Sequence, residues 1–480
     1  MVLRSRARPL PGADSIVRRH RPSLALIIAS CPLLFFDLGA RVLGTNDETR
    51  FPLLARDILD HGTWLLPRLN GVPHLNKPPL HAWLVGMVSW PAGSVNQTNA
   101  GLASLLAALV VIVTTGWIGQ RLCGARVGTL AGGIVLTTYG VFSLARAPLP
   151  DMTLCAAMTG AMAAYGVYAL DGRRTALVIF YVLVGVAFWA KGPAGLLPIA
   201  VAIVDTVTTR GWRGLGRLAS SPGLLALLVL LAPWWVAVVA VDRQRFVGSV
   251  VMSDFLGWYL PTAWHGSTIA EPFKQTLTIL LPWSLAIPPA LWFAVRAPAA
   301  SESRAVRFLL AWAGTMFVLL AVSAQQRMRY YLPLAPPVAL LVAAWYSRLR
   351  IRDHLRVFAP VWLAAALGLS LWQVYENRRD NAATDFATIL HEVRRAPGSV
   401  YAVDVPELVF TFYLEAPVTR LARLSSFEGR RGYLIVADRA VGASPVAAVC
   451  RRATGRVNHR AISLVTAGRC PSESRMRTVF

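Results

Sequence analysis

The sequence contains apolar runs that match the thickness of a lipid bilayer. Leu224 to Val241 holds no ionisable side chain, and about twenty apolar residues in a helix are enough to cross the hydrocarbon core of a membrane. Because 55% of the residues are hydrophobic and only 15% are charged, we predict a mainly α-helical, polytopic membrane protein. Its eleven predicted spans lie near residues 23–43, 99–119, 127–145, 152–170, 175–190, 193–208, 223–241, 275–295, 308–323, 331–347 and 357–374.

The basic residues orient these spans. With the amino terminus in the cytoplasm, the connections on the cytoplasmic side hold 20 basic residues in 68 positions, and the opposite connections hold 11 in 102. Basic residues concentrate in cytoplasmic loops, so this bias has the expected sign. The formal net charge of +24 then reflects loop arginines that face anionic lipid. No basic stripe is interleaved with stacking aromatic residues, so we expect no nucleic-acid partner.

One short apolar piece, residues 80–92, is not counted among the spans. Counting it would invert every later connection and place the arginine clusters on the wrong side of the membrane. We therefore predict that it lies in the outer interface, within a first outer loop of residues 44–98. Residues 50–61 of the same loop form an amphipathic stretch. Its apolar face is predicted to contain Phe51, Leu54, Ile58 and Leu59.

The sequence changes character after the last predicted span. Residues 376–480 contain alternating runs at 399–405, 408–414 and 432–438, which predict strands, and a helical pattern at 384–395. We predict a small soluble α/β domain on the extracytoplasmic side, after a basic cytoplasmic terminus (1–22) and a transmembrane domain (23–375). Cys450 and Cys470 lie in this tail, and whether they pair is left open.

Ionisable residues gather at the predicted outer ends of the spans. Separate loops thus bring charged groups to one membrane face, as an active site requires. A carboxylate there can orient or deprotonate an acceptor, and arginine and lysine can hold a phosphate. This combination fits group transfer from a lipid-linked phosphate donor, because cations stabilise the departing phosphate. The residues are Asp47, Glu48, Arg50, Lys77, Arg146, Asp151, Lys191, His265, Arg327 and Arg329.

The first outer loop resembles that of a known enzyme family. The stretch NDETRFPLLARDILDHGTWLLPRLNGVPHLNKPPLHAWLV (46–85) is similar to the corresponding loop of bacterial aminoarabinose transferases and their relatives in the protein O-mannosyltransferase superfamily. The similarity continues in order through ARAPLPDM (145–152), AFWAKGPAGLLP (187–198), LAPWW (231–235), LLPWSLAIP (280–288) and RMRYYLPLAPP (327–337). It covers roughly residues 23–350.

This resemblance implies a GT-C fold and a membrane glycosyltransferase that uses a polyprenyl-phosphate sugar on the extracytoplasmic side of the inner membrane. Asp47, Glu48 and Asp151 match the acidic positions expected to be catalytic. Arg50 and Lys77 match positions linked to phosphate. Substrate-binding roles are also expected for His74, Arg146, Lys191, His265, Arg327 and Arg329. His74 departs from the family pattern, which often has an aromatic residue there, and GLASLL (101–106) lacks the family's arginine.

The predicted reaction is a single displacement with inversion at the sugar. The acceptor is an envelope glycolipid of the lipid A type, a polysaccharide or a protein, and the sequence leaves this choice and the sugar open. No Asp-x-Asp motif occurs in the outer loops, so we predict no obligatory metal ion. No cofactor is expected beyond the lipid-linked co-substrate.

Two alternatives remain at this point. A transporter or flippase of lipid-linked sugars would move the donor without forming a product, and it would place ionisable residues in the middle of its spans. A non-catalytic envelope assembly protein would make the acids of the first loop dispensable.

The predicted topology is testable with a tag inserted between Arg50 and Lys77. We expect the tag to react with a membrane-impermeant reagent added to the extracytoplasmic side, because both residues lie in the predicted outer loop. Labelling only from the cytoplasmic side would contradict the prediction.

Overall fold

The structure is a computed structural model that describes residues 26, 28–245, 247–248, 251–252, 257, 266–296, 300–442 and 449–467. It is mainly α-helical, as the sequence predicts. The helices before the last span are α1 (Asn46–His61), α2 (Leu80–Ser89), α3 (Gln97–Cys123), α4 (Ala125–Leu136), α5 (Tyr139–Leu144), α6 (Pro150–Asp171), α7 (Arg174–Lys191), α8 (Leu197–Arg210), α9 (Leu215–Ala219), α10 (Pro222–Val241), α11 (Gly266–Ile279), α12 (Ile287–Arg296), α13 (Ala300–Ala321) and α14 (Ala335–Tyr346).

Several helices are long and apolar enough to cross a membrane. Within the described residues there are six such helical segments, or seven if the bent pair Ile269–Ile279 and Trp283–Arg296 forms one span. The chain is therefore a multi-span membrane protein, and the total of eleven spans stays a prediction. The last of these segments, α15 (His354–Ala383), continues beyond residue 376, where the soluble domain was predicted to begin.

The segment Arg174–Arg210 contains a reversal of the chain. It consists of α7, a 3₁₀ turn at Gly192–Leu196, and α8. Arg174 and Arg210, at its two ends, line the same cavity, so α7 and α8 run in opposite directions. Gly192 has φ +72°, a conformation that favours glycine. A Cβ atom at Gly195 would lie 2.2 Å from the Phe188 backbone nitrogen, so only glycine permits so close a turn.

The first outer loop is built from two packed helices and a small hairpin. Strands β1 (Arg68–Leu69) and β2 (Val72–Pro73) pair between α1 and α2. In α1, the predicted apolar face is confirmed for Phe51, Leu54 and Ile58, which are buried. The helix predicted within 80–92 is also present, and Trp83 of α2 packs on Trp189 of α7 with ring centroids 5.0 Å apart.

A five-stranded sheet follows the last long helix. The elements in this region are α16 (Ala387–Arg395), β3 (Val400–Val403), α17 (Glu407–Leu414), β4 (Val418–Arg420), β5 (Tyr433–Ala437), α18 (Asp438–Gly442), β6 (Val449–Val457) and β7 (Arg460–Ala467). The strands have the order β4-β3-β5-β7-β6, with β3 parallel to β4 and β5, and β7 antiparallel to β5 and β6.

The strand predicted at 408–414 is wrong, because this run forms helix α17. Its apolar residues pack against two different parts of the structure. Leu408 and Phe412, four residues apart on one helix face, pack against the first outer loop. Val409 and Phe410 pack into the core of the sheet. Tertiary contacts on both sides thus decide the conformation of a run that alone resembles a strand.

Helix α17 also joins the sheet to the helix that carries Asp47. The Asn46 side chain accepts a hydrogen bond from the Leu408 backbone N–H at 3.0 Å and donates one to Glu407 at 3.0 Å. Arg56 donates to the Phe412 carbonyl at 3.2 Å. The sheet and the start of α1 therefore lie at the same end of the helical bundle.

Candidate functional site

Asp47 lies at the centre of a cluster of arginines. Its carboxylate accepts hydrogen bonds from Arg329 Nη2 at 2.7 Å and Arg327 Nη1 at 3.2 Å. Arg50 Nη1 lies 3.2 Å from the other carboxylate oxygen. This one side chain therefore connects the first outer loop to a segment some 280 residues later in the chain.

The local sequence fixes Asp47 at the first turn of α1. Thr45 is the N-cap, and its hydroxyl oxygen accepts a hydrogen bond from the Glu48 backbone N–H at 3.3 Å. Carboxylates are favourable at this end of a helix because the unpaired N–H groups carry partial positive charge. On the other side of the cluster, Tyr331 and Leu332 are buried and hold the 3₁₀ turn Met328–Leu334 in place.

A buried ion pair lies beside this cluster. Lys191 Nζ donates to Asp151 Oδ1 at 2.5 Å, and the two side chains are 7% and 3% exposed. The Lys191 ammonium also lies 4.4 Å from the ring centroid of Tyr330, close enough for a cation–π interaction. Asp151 and Lys191 stand at the adjoining ends of the antiparallel helices α6 and α7.

Lys77 is brought to the same place by the loop before α2. Leu75 is buried against Phe188 and Trp234, which anchors this loop on the bundle. Pro78 lies 3.8 Å from the position that a Cβ atom on Gly192 would occupy, so the loop runs past the residue that follows Lys191. In the described part of the chain, Lys77 has no ion-pair or hydrogen-bond partner. Its ammonium is the one cation of the cluster with all its donors available.

The cluster carries an excess of positive charge. Electrostatic interactions link Asp47 and Asp151 to the surrounding cations. Among the described residues, the two carboxylates face five cations, an excess of three positive charges. The cations are Arg50, Lys77, Lys191, Arg327 and Arg329.

The charges of the cluster shift the pKa values of Asp47 and Lys77, which lie outside the membrane-spanning helices. Burial favours the neutral form of Asp47, but the hydrogen bond and charge of Arg329, together with the other cations, lower its pKa to about 2. Asp47 is therefore ionised at neutral pH and is a weak base. Burial and repulsion from Lys191 and Arg50 lower the pKa of Lys77 to about 8, although Asp151 and Asp47 offset part of this effect.

Glu48 faces a different region from its neighbour Asp47. Its carboxylate bonds to Arg41 and accepts a hydrogen bond from the Thr45 hydroxyl at 2.9 Å. Arg41 also lies 3.7 Å from Asp380 in α15. Glu48 thus ties the start of α1 to the last long helix, and it does not join the arginine cluster.

Arg146 is also apart from the cluster. Its Nε donates to the Phe36 carbonyl at 3.0 Å, and its terminal nitrogens donate to the Phe142 and Leu33 carbonyls. These bonds attach residues 33–36, which precede α1, to the segment before α6. Arg146 and Glu48 both line a polar cavity of about 260 Å³.

The two predicted histidines are placed differently. His74 follows β2 and is partly buried, and its backbone N–H donates to the Pro67 carbonyl at 2.9 Å. His265 lies outside the described residues, as does Cys470, whereas Cys450 is buried in β6. The functional roles of all the predicted site residues stay predictions.

Three residues of this region were not singled out by the sequence. Tyr330 lies between Lys191 and Arg329, with its ring centroid 4.4 Å and 5.7 Å from their charged groups. His81 is fully buried and pairs with the Thr153 hydroxyl at 2.9 Å. Burial lowers its pKa to about 4, despite the charge of Asp151 and a backbone hydrogen bond. Arg41 is the third. Tyr330 lies inside the motif RMRYYLPLAPP and His81 inside the stretch 46–85, so both had a sequence signal, whereas Arg41 lies in neither motif.

The sequence is similar to known membrane glycosyltransferases. Residues 76–236 match the dolichyl-phosphate-mannose-protein mannosyltransferase family. An undecaprenyl phosphate-alpha-4-amino-4-deoxy-L-arabinose arabinosyl transferase of Edwardsiella ictaluri is 27% identical over 342 residues, which cover 69% of this chain and 61% of the relative. The chain spans about 60% of the length of the curated relatives it matches.

Solved structures share the fold. The crystal structure of ArnT from Cupriavidus metallidurans bound to undecaprenyl phosphate aligns with a TM-score of 0.80 at 19% identity, covering 94% of this chain and 100% of that one. An oligosaccharyltransferase of Archaeoglobus fulgidus aligns with a TM-score of 0.52 at 12% identity, covering 88% and 70%. The predicted GT-C fold and the resemblance to polyprenyl-phosphate-sugar glycosyltransferases are confirmed.

The Asp151–Lys191 pair generates a stability prediction. Replacing Asp151 with Asn leaves the Lys191 ammonium buried without its counter-charge, and we expect a loss of about 3–5 kcal/mol. The double variant Asp151→Leu/Lys191→Met removes both charges, and we expect it to recover most of this loss. Thermal unfolding of the purified protein in detergent measures both effects.

Asp353→Asn is the matched control, since Asp353 is exposed and pairs with Arg356 on the surface. Its expected change is below about 1 kcal/mol. If Asp151→Asn unfolded at the same temperature as this control, the pair would not be a buried, energetically coupled contact.

Proposed function

We propose that this protein is an integral membrane glycosyltransferase that moves a sugar from a polyprenyl-phosphate donor to an envelope acceptor. The excess of three positive charges around Asp47 and Asp151 is the observation that carries the proposal. A phosphate that departs from a sugar gains negative charge, and preorganised cations stabilise that charge in the transition state. The names of the relatives, which act with undecaprenyl phosphate or dolichyl phosphate, support this donor class.

The proposed reaction is one displacement. An acceptor oxygen forms a bond to the anomeric carbon while the bond from that carbon to the donor phosphate oxygen breaks, so the configuration inverts. The phosphate leaves as an anion and stays paired with Lys77, Arg50 and Arg329. A hydroxyl acceptor releases one proton, which the departing phosphate oxygen takes up, whereas a phosphate acceptor is already ionised.

The low pKa of Asp47 supports one of its two predicted roles over the other. A group with a pKa of about 2 accepts a proton poorly at neutral pH, because general bases work best when their pKa lies near the working pH. We therefore assign Asp47 mainly to positioning. It holds the three guanidinium groups in place and accepts a hydrogen bond from the acceptor.

The remaining parts of the proposal concern location and partners. We place the protein in the inner membrane, with Asp47 and the sheet of residues 400–467 on the extracytoplasmic side. The direct bonds between Asn46 and α17 support a common side for both. An envelope glycolipid, polysaccharide or protein is the proposed acceptor, and neither a metal ion nor a further cofactor is proposed.

The test of the function is Asp47→Asn, assayed with purified lipid-linked sugar donor. Loss of the carboxylate releases three cations from their common partner, and we expect transfer to fall at least a hundredfold, equivalent to about 2.7 kcal/mol. Product formation is measured by mass spectrometry.

Asp60→Asn serves as the control, because Asp60 is an exposed carboxylate on the same helix. It should transfer sugar at the wild-type rate. Near-normal turnover by Asp47→Asn, with donor and folding unchanged, would refute the assignment. Transport of the donor across the membrane without product would favour the flippase instead.

A second prediction concerns pH. Lys77 loses its proton as the pH rises through about 8, so the cluster loses one positive charge between pH 7 and 9.5. The second ionisation of a phosphate monoester has a pKa of about 6, so the charge of the ligand changes little over this interval. We expect binding of a polyprenyl phosphate to weaken about tenfold over this interval.

Lys77→Arg separates this cause from a general effect of alkali. Arginine keeps its charge throughout the interval, so the variant should bind with little dependence on pH, whatever its affinity at pH 7. An equal decline in both proteins, measured by the fluorescence of a labelled lipid phosphate, would exclude Lys77 as the titrating group.

A further inference from the structure

We propose that a basic pocket at the far ends of α6 and α7 binds the phosphate headgroup of an anionic membrane lipid. This site is separate from the Asp47 cluster. Asp151 and Lys191 stand at one end of these two helices, whereas the pocket is lined by residues at the other end, including Tyr168 and Arg174. A helix of 22 residues is about 33 Å long, so the pocket lies one bilayer thickness from the site.

The pocket is lined by residues from five consecutive helices, α6 to α10. Its volume is about 340 Å³, which is large enough for a phosphate group and part of its ester. Arg174 begins α7, Arg210 ends α8, and Arg217 belongs to α9. Arginine donates several hydrogen bonds in a planar arrangement that matches phosphate oxygens. Three such groups around one cavity are suited to one anion.

The arginines of the pocket are not in contact with a carboxylate among the described residues, although Arg210 interacts electrostatically with Asp205. Within the described part of the chain, none of the three forms an ion pair with a carboxylate. Arg210 is held in place by hydrogen bonds to the Tyr168 hydroxyl at 3.2 Å and the Ala169 carbonyl at 3.1 Å, neither of which neutralises it. Asp171 instead pairs with Arg121 and Arg173.

The start of α10 adds donors to the same pocket. Ser220, Ser221 and Pro222 line the cavity, and Ser221 is the N-cap of this 20-residue helix. The free N–H groups and the dipole at a helix N-terminus favour an anion. The pocket thus combines guanidinium groups, hydroxyls and a helix start around one space.

The surroundings of the pocket favour a lipid over a soluble anion. Leu225 and Leu228, on the first turns of α10, are 66% and 56% exposed, and Trp212 in the connection before α9 is 76% exposed. Such residues are typical of a membrane interface and its adjoining hydrocarbon. An acyl chain can lie along α10 while the headgroup occupies the pocket, an arrangement known for basic pockets between membrane helices.

The experiment measures lipid binding to the full-length protein by native mass spectrometry. Phosphatidylglycerol is the anionic probe, phosphatidylcholine the neutral one, and inorganic phosphate the soluble one. In the variant Arg174→Gln/Arg217→Gln, we expect the affinity for phosphatidylglycerol to fall about tenfold and the affinity for phosphatidylcholine to stay unchanged. Both arginines are exposed and make no ion pair among the described residues, so the fold should be retained.

The matched control is Arg350→Gln/Arg352→Gln, which removes two exposed arginines from the connection before α15. It should bind phosphatidylglycerol as the wild type does. Equal binding by the pocket variant and the wild type, or equal losses in the pocket variant and the control, would overturn the proposal.

Competition with millimolar inorganic phosphate identifies the source of the anion. Displacement of phosphatidylglycerol would support the pocket as a general phosphate site, and failure to displace it would support a site that needs the lipid. Both results are independent of transferase activity, because the pocket variant changes no residue of the Asp47 cluster.

Discussion

An ionised side chain is costly to bury in a helical bundle that faces lipid, and its cost falls only when it is paired with an opposite charge. The charged groups of this protein obey that constraint by sharing partners. Asp47 forms ion pairs with three arginines, and Asp151 forms one with Lys191. Because these contacts connect the first outer loop, the turn after α7 and the segment around Arg329, they also fix the relative positions of elements that the chain keeps far apart.

The cations around Asp47 and Asp151 are not all balanced by carboxylates, and this imbalance bears on the function of the site. A purely structural network would balance its charges, yet among the described residues of this cluster the cations outnumber the carboxylates. Lys77 is partly buried, and this burial together with the nearby positive groups lowers its pKa. Stability alone does not explain such an arrangement. In the proposed function, the phosphate of the lipid-linked donor supplies a counter-charge and stabilises the groups that hold it.

The sequence predicted that charged residues from separate loops come together at one end of the bundle, but it did not predict the contact of each residue. The distribution of arginine among the loops was enough to place Asp47, Lys77, Lys191 and Arg329 on one face, because topology depends on composition rather than on packing. It did not separate Glu48 from Asp47, since adjacent residues on a helix point about 100° apart and only the position of Arg41 shows where Glu48 is bound. The helix at 408–414 was missed because its surfaces are supplied by two distant parts of the chain.

The contact between α17 and α1 connects the sheet to the helix that carries Asp47. Asn46, next to Asp47, is hydrogen-bonded to α17, and Arg56 of the same helix is bonded to Phe412. Because Asn46 and Arg56 belong to the helix that carries Asp47, the position of the sheet and the position of the Asp47 carboxylate are coupled through α1. A tilt of the sheet relative to the helical bundle would therefore also change the distance between Asp47 and Arg329.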